Sequence, residues 1–144
     1  MTISELYEHY LACHSVTTDS RNCPTGSIFF ALKGDKFDGN RYAQKAVDNG
    51  CSYAVVDEEQ YAPEGDRRYV LVPDALQALQ QLANMHRRNF HHPVIQITGT
   101  NGKTTTKELT AAVLSKKYRV LATEANYNNH IGVPKTLLRL TADD

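Results

Sequence analysis

The residues best equipped for chemistry lie in one string, Gly99-Thr100-Asn101-Gly102-Lys103-Thr104-Thr105. A β-branched run at 94–98 leads into it, and a helical pattern follows to about residue 117. Glycines let such a loop turn tightly and aim successive N–H groups at one point. The first turn of the helix adds positive potential, and a lysine brings a mobile cation. These are the requirements for holding a polyphosphate. On this reading Gly99, Thr100, Asn101, Gly102, Lys103, Thr104 and Thr105 line the nucleotide site. Lys103 reaches the outer phosphates, and the Thr104 hydroxyl serves Mg²⁺. The general pattern has a glycine five residues before Gly102, where this chain has Ile97, so the loop is a shortened version beginning at Gly99. Lys107 and Glu108, further along the helix, read as solvated surface.

The elements that must position this loop follow from periodicity. Residues 94–98 predict a strand, 118–122 a second strand and 135–140 a last helix, the β-α-β-α beginning of a parallel sheet. Upstream, Ile3, Leu6, Tyr7, Tyr10 and Leu11 keep helical spacing, with Thr2 or Ser4 available as cap. Strands are predicted at 27–32, 52–56 and 69–72. A helix over Tyr42, Ala43, Ala46 and Val47 ends at Asn49-Gly50, and another begins at Asp74 and carries Leu76, Leu79, Leu82, Ala83, His86 and Phe90 on its apolar face. His91-His92-Pro93 reads as a connector. The expected fold is therefore α/β, with a small N-terminal α/β unit at 1–92 and the start of a phosphate-loop parallel-sheet unit at 93–144.

Composition narrows the functions. Sixteen basic residues balance sixteen acidic ones, so no overall field attracts a polyanion, and nucleic acid is not the expected partner. Cys13, Cys23 and Cys51 are odd in number and form no C-x-x-C pair, which argues against a disulfide framework or a zinc site. No apolar run approaches the ~20 residues of a membrane span, and acidic Glu5 and Glu8 occupy the N-terminal segment. A cytoplasmic protein without membrane association is expected.

Several strings carry a family resemblance. Residues 98–105 resemble the nucleotide loop of the Mur ligases. Thr18-Asp19-Ser20-Arg21, then 26–34, then Phe37-Asp38-Gly39 look like the UDP-binding N-terminal domain of the two members that add the third residue and the terminal dipeptide. Asn126-Tyr127-Asn128-Asn129-His130-Ile131-Gly132-Val133-Pro134 is similar to a stretch marking the dipeptide-adding branch. The resemblance implies an ATP- and Mg²⁺-dependent ligase. Through an acyl phosphate, it would join D-alanyl-D-alanine to the terminal carboxylate of UDP-N-acetylmuramoyl-tripeptide in cell-wall precursor synthesis.

It implies further that Lys103 and Thr104 act in catalysis. Ser20 and Arg21 would contact the uridine or its diphosphate, and Lys33, Gly34, Phe37 and Asp38 would form a loop over the uracil. Asn126, Asn128 and Asn129 would meet substrate. A turn-stabilising ion pair between Asp19 and Arg21 is a competing reading, as is plain packing for Phe37 and an asparagine-rich turn for the amide cluster. Later catalytic residues of the family, a metal-binding glutamate, a carbamylated lysine and a metal-binding histidine, have no counterpart here. The expectation is thus a monomeric N-terminal piece that does not turn over alone. The alternatives are the diamino-acid-adding relative and a non-catalytic nucleotide-binding module.

Overall fold

The computed structural model describes residues 2–124 and 127–144. Helix α1 (Ile3–Cys13) opens on a capping box, in which the Thr2 hydroxyl accepts from Glu5 N–H and the Glu5 carboxylate accepts from Thr2 N–H. It delivers the chain to β1 (Val16–Thr17), a two-residue strand too short to leave a periodic signal. Strands β2 (Ile28–Phe30), β5 (Tyr53–Val56) and β6 (Tyr69–Leu71) join it in an all-parallel sheet ordered β1-β2-β5-β6. Between β2 and β5 lie a small antiparallel hairpin, β3 (Lys33–Gly34) and β4 (Phe37–Asp38), a 3₁₀ turn at Gly39–Tyr42, and α2 (Ala43–Asp48).

Parallel strands need both faces covered, and alternate residues do this. Ile28, Phe30, Val55 and Val70 point into one core with Leu6 and Tyr10 of α1 and Leu79 and Leu82 of α3 (Ala75–Arg88). Phe29, Ala54 and Val56 point into the other, against Ala43, Ala46 and Val47 of α2. The Asp74 carboxylate caps α3 by accepting from Gln77 N–H at 2.8 Å, as the sequence predicts. Fully burying Leu79 and Leu82 contributes about 1.5–3 kcal/mol each.

The remaining residues behave differently. Helix α4 (Lys103–Leu114) follows the glycine loop, and α5 (Gly132–Leu137) lies against α3, with Leu138 buried in the first core. The tyrosine hydroxyl of Tyr10 donates to the Leu138 carbonyl, and His86 Nε2–H donates to the Leu140 carbonyl at 2.9 Å, so α1 and α3 grip the chain just after α5. The strands expected at 94–98 and 118–122 do not form. Neither segment enters a ladder, and Val94, Ile95 and Tyr118 stay exposed. A strand is stable only when a neighbour takes up its N–H and C=O groups, and no neighbour reaches these two segments among the described residues. The last two helices also begin and end earlier than expected, at 114 instead of about 117 and at 132–137 instead of 135–140. No helix among the described residues is long and apolar enough to cross a membrane.

Candidate functional site

Local geometry assembles the phosphate loop even without its sheet. Gly102 caps α4 with φ +76°, a left-handed conformation that glycine adopts without strain, and this turns the chain abruptly into the helix. The first intrahelical bond runs from Thr106 N–H to the Gly102 carbonyl at 2.9 Å. The N–H groups of Lys103, Thr104 and Thr105 precede it and have no intrahelical acceptor, which leaves three donors at the positive end of a twelve-residue helix. Lys103 Nζ folds back to donate to the Gly99 carbonyl at 2.6 Å, so the ammonium crosses the loop. Thr100, Asn101, Thr104 and Thr105 are exposed to solvent. Converging donors, a cation paired with a carbonyl instead of a carboxylate, and an accessible hydroxyl fit a magnesium-bound polyphosphate. The lysine would hold the outer oxygens and Thr104 would offer its hydroxyl to the metal.

The candidates of the first unit fall into two groups, and no hydrogen bond or ion pair joins them among the described residues. Ser20 and Arg21 occupy the connection after β1. Ser20 is buried, its carbonyl accepting from Asn49 Nδ2–H at 2.8 Å, while Arg21 is exposed and forms a bidentate pair with Asp19 at 2.9 Å. Hydrogen bonds from Arg21, side chain first and then backbone, hold the Asp19 carboxyl at about 2. The turn-stabilising pair weighed from the sequence is therefore formed. Lys107 of the second unit likewise pairs with Glu108, at 2.8 Å.

The second group lies on the hairpin. Phe37, 51% exposed, stacks on Tyr42 with ring centroids 5.3 Å apart and planes 13° from parallel. Asp38 accepts from Asn40 N–H at 3.0 Å and so starts the 3₁₀ turn. Gly39 permits a close approach that any side chain would block, since a Cβ there would fall 2.5 Å from the Leu32 carbonyl oxygen. Lys33 reaches Asp57 at 2.9 Å and Glu58 at 2.8 Å. Asp57, Glu58 and buried Asn40 were not singled out by the sequence. They meet across 17 residues of chain, and no local spacing announces such a contact.

Of the amide cluster, Asn128 is exposed, and Asn129 Oδ1 accepts from Ile131 N–H at 3.1 Å and Gly132 N–H at 2.7 Å, building the entrance to α5. Asn126 lies outside the described residues. Lys135 of α5 adds the last and smallest of the contributions that lower the Asp19 carboxyl pKa.

Residues 12–87 match the family model described as Mur ligase family, catalytic domain, and residues 97–144 match the Mur ligase middle domain. The chain belongs to the Mur ligase family. It is 42% identical over 127 residues to UDP-N-acetylmuramoyl-tripeptide--D-alanyl-D-alanine ligase of Bacillus subtilis (strain 168), covering 88% of this chain and 28% of that protein. It is 39% identical over 139 residues to the protein of the same name from Escherichia coli (strain K12), covering 96% and 30%. Among solved structures, MurF from Acinetobacter baumannii superposes with a TM-score of 0.79 at 38% identity, over 90% of this chain and 28% of that one. The MurF ligase of Thermotoga maritima in complex with ADP gives 0.77 at 31%, over 89% and 29%. The chain spans about three-tenths of the length of the curated relatives it matches.

Proposed function

We propose that these residues supply the nucleotide-sugar unit and the phosphate loop of an ATP-dependent ligase. The ligase joins D-alanyl-D-alanine to UDP-N-acetylmuramoyl-tripeptide in peptidoglycan precursor synthesis. The single observation that carries this reading is the Gly99–Lys103 loop, closed by the lysine and opening onto the free donors of α4, in a chain whose relatives bear that activity in their names.

A carboxylate resists attack by an amine because oxide leaves poorly and the anion repels nucleophiles, so it must first be activated. Bound ATP with Mg²⁺ supplies the phosphoryl group for that activation. The protein's share is to hold donor and acceptor in line and to neutralise developing charge. Lys103 and the N–H groups of Thr104 and Thr105 bind the phosphate oxygens, and Gly99, Thr100, Asn101 and Gly102 shape the turn around them. Thr104 offers its hydroxyl to the metal. In the first unit, Ser20 and Arg21 lie toward the uridine diphosphate, and Gly34, Phe37 and Asp38 belong to the loop over the base. Asn126, Asn128 and Asn129 border the acceptor peptide. The division into 1–92 and 93–144, a monomeric state and a cytoplasmic location belong to the same reading.

The test is a pair of calorimetric titrations of the full reading frame and its Lys103→Ala variant. Affinity for ATP with Mg²⁺ is expected to fall at least about tenfold, the worth of a charge-assisted contact, while binding of UDP-N-acetylmuramoyl-tripeptide is unchanged. Equal loss of both ligands contradicts the separation of the sites.

A further inference from the structure

The hairpin of β3 and β4 stands on a polar network whose members lie at the carboxyl ends of three elements of the sheet. Asn40 is fully buried, yet its amide is engaged on every side. Nδ2–H donates to Asp38 Oδ1 at 2.9 Å and to Asp57 Oδ1 at 2.8 Å, and Oδ1 accepts from Asp57 N–H at 3.0 Å. Asp57, just beyond β5, extends the network to the head of α3, where Oδ2 accepts from Ala75 N–H at 3.3 Å. Lys33, at the root of the hairpin, closes it with ion pairs to Asp57 and Glu58.

The electrostatics agree with the geometry. Burial alone would raise the Asp57 carboxyl, but hydrogen bonds from Lys33, Asn40 and Ala75 outweigh it and hold the group below its usual range. Bonds to Glu58 and Asp57 push the Lys33 ammonium above the usual lysine range. A buried amide left unpaired bears its full desolvation cost, so the network holds the hairpin in one pose instead of merely decorating it. What that pose presents is the exposed face of Phe37 stacked on Tyr42, a flat aromatic surface suited to a planar base.

We propose that Lys33, Asn40 and Asp57 are positioning residues for the uridine end of the nucleotide sugar: the network sets the Phe37–Tyr42 face at a fixed height above the carboxyl edge of the sheet, and the Lys33 ammonium anchors the hairpin instead of contacting the nucleotide. This rests on the assignment of the first unit to the uridine nucleotide, and it replaces a direct role for Lys33 toward that ligand. The two roles predict opposite signs for one substitution. If the Lys33 ammonium contacted the nucleotide directly, Asp57→Asn would release it and strengthen binding. If it anchors the hairpin, Asp57→Asn weakens binding as Lys33→Met does.

The experiment titrates UDP into the full reading frame and measures KM for UDP-N-acetylmuramoyl-tripeptide and for ATP. Asp57→Asn and Lys33→Met are each expected to weaken UDP and raise the tripeptide KM about tenfold, with the ATP KM and kcat unchanged. Lys33→Arg, which keeps both ion pairs, restores most of the affinity. Glu58→Gln, on the more exposed partner, carries the same expected sign and serves if Asp57→Asn does not fold. Unchanged or tighter UDP binding by Asp57→Asn or Glu58→Gln, with loss in Lys33→Met, overturns the proposal while leaving the uridine site in place. Failure of the unsubstituted protein to bind UDP overturns the assignment of the first unit and the proposal with it.

Discussion

In the four-stranded sheet, Ile28, Phe29, Phe30, Val55 and Val56 are 1% exposed or less, whereas α4, the helix that carries the phosphate loop, buries no residue at all. The contrast separates two kinds of folding information. A glycine cap, a helix start and a lysine curled onto a carbonyl are local devices, each satisfied within about five residues. A parallel strand is a collective device that exists only once its neighbours and covering helices are present. The phosphate loop thus takes shape beside strand segments that have not paired. The hairpin of β3 and β4, by contrast, is held by a finished core. Contacts of the finished core also reach the end of the second unit, where Tyr10 and His86 form a joint by holding the carbonyls of Leu138 and Leu140.

The comparison can be broken most forcefully through the cores. In the 144-residue chain, Leu79→Ala is expected to cost about 2–5 kcal/mol, because Leu79 is fully buried in the core that α1 and α3 build on one face of the sheet. Leu109→Ala, on a side chain 63% exposed in α4, should change stability by no more than about 0.5 kcal/mol. Denaturant midpoints of the two variants check this, and equal losses would mean that α4 is packed after all.

A smaller effect tests whether caps in the finished unit matter as much as their geometry indicates. Asp74→Ala removes the bond to Gln77 N–H and should cost about 1 kcal/mol by the same measurement. No loss would show that packing alone sets the start of α3.

The mildest handle is pH at the joint. Burial pushes the His86 imidazole below its ordinary value of 6.5, and its bond to Leu140 only partly opposes this. The tautomer with the proton on Nε2 serves the Leu140 carbonyl and leaves Nδ1 to accept from the Tyr7 hydroxyl at 3.1 Å. Because the unfolded chain takes up this proton more readily than the folded one, His86 contributes full stability above about 6.5 and loses it as pH falls below that value. Thermal midpoints should decline from pH 7.5 to 5.5, and the decline should be shallower in His86→Gln. An unaltered slope would remove His86 from the account of the joint.

How far the sequence reaches follows the same division. The helical face of α3, its Asp74 cap, the cores of β2, β5 and β6 and the glycine entrance to α4 are all legible, because each depends on residues within one or two turns or on a continuous β-branched and aromatic run. The 94–98 and 118–122 segments mislead because their composition is that of strands while pairing lies outside the segment itself. Asn40 with Asp57, and His86 with Leu140, are illegible for a third reason: they are contacts of the finished tertiary structure between residues that no periodicity relates. Asn129, read as a substrate residue from the family stretch, also turns the chain into α5 through its Oδ1, a local role that its type and place before a helix make legible.

The role proposed for these residues is amide formation with a D-alanyl-D-alanine acceptor. Its most direct test is phosphate release by the full reading frame with ATP, Mg²⁺ and UDP-N-acetylmuramoyl-tripeptide, measured with and without D-alanyl-D-alanine. Sustained release that depends on the dipeptide is expected. Release that ignores the dipeptide but follows a diamino acid, or no release from a protein that binds both nucleotides, would contradict it.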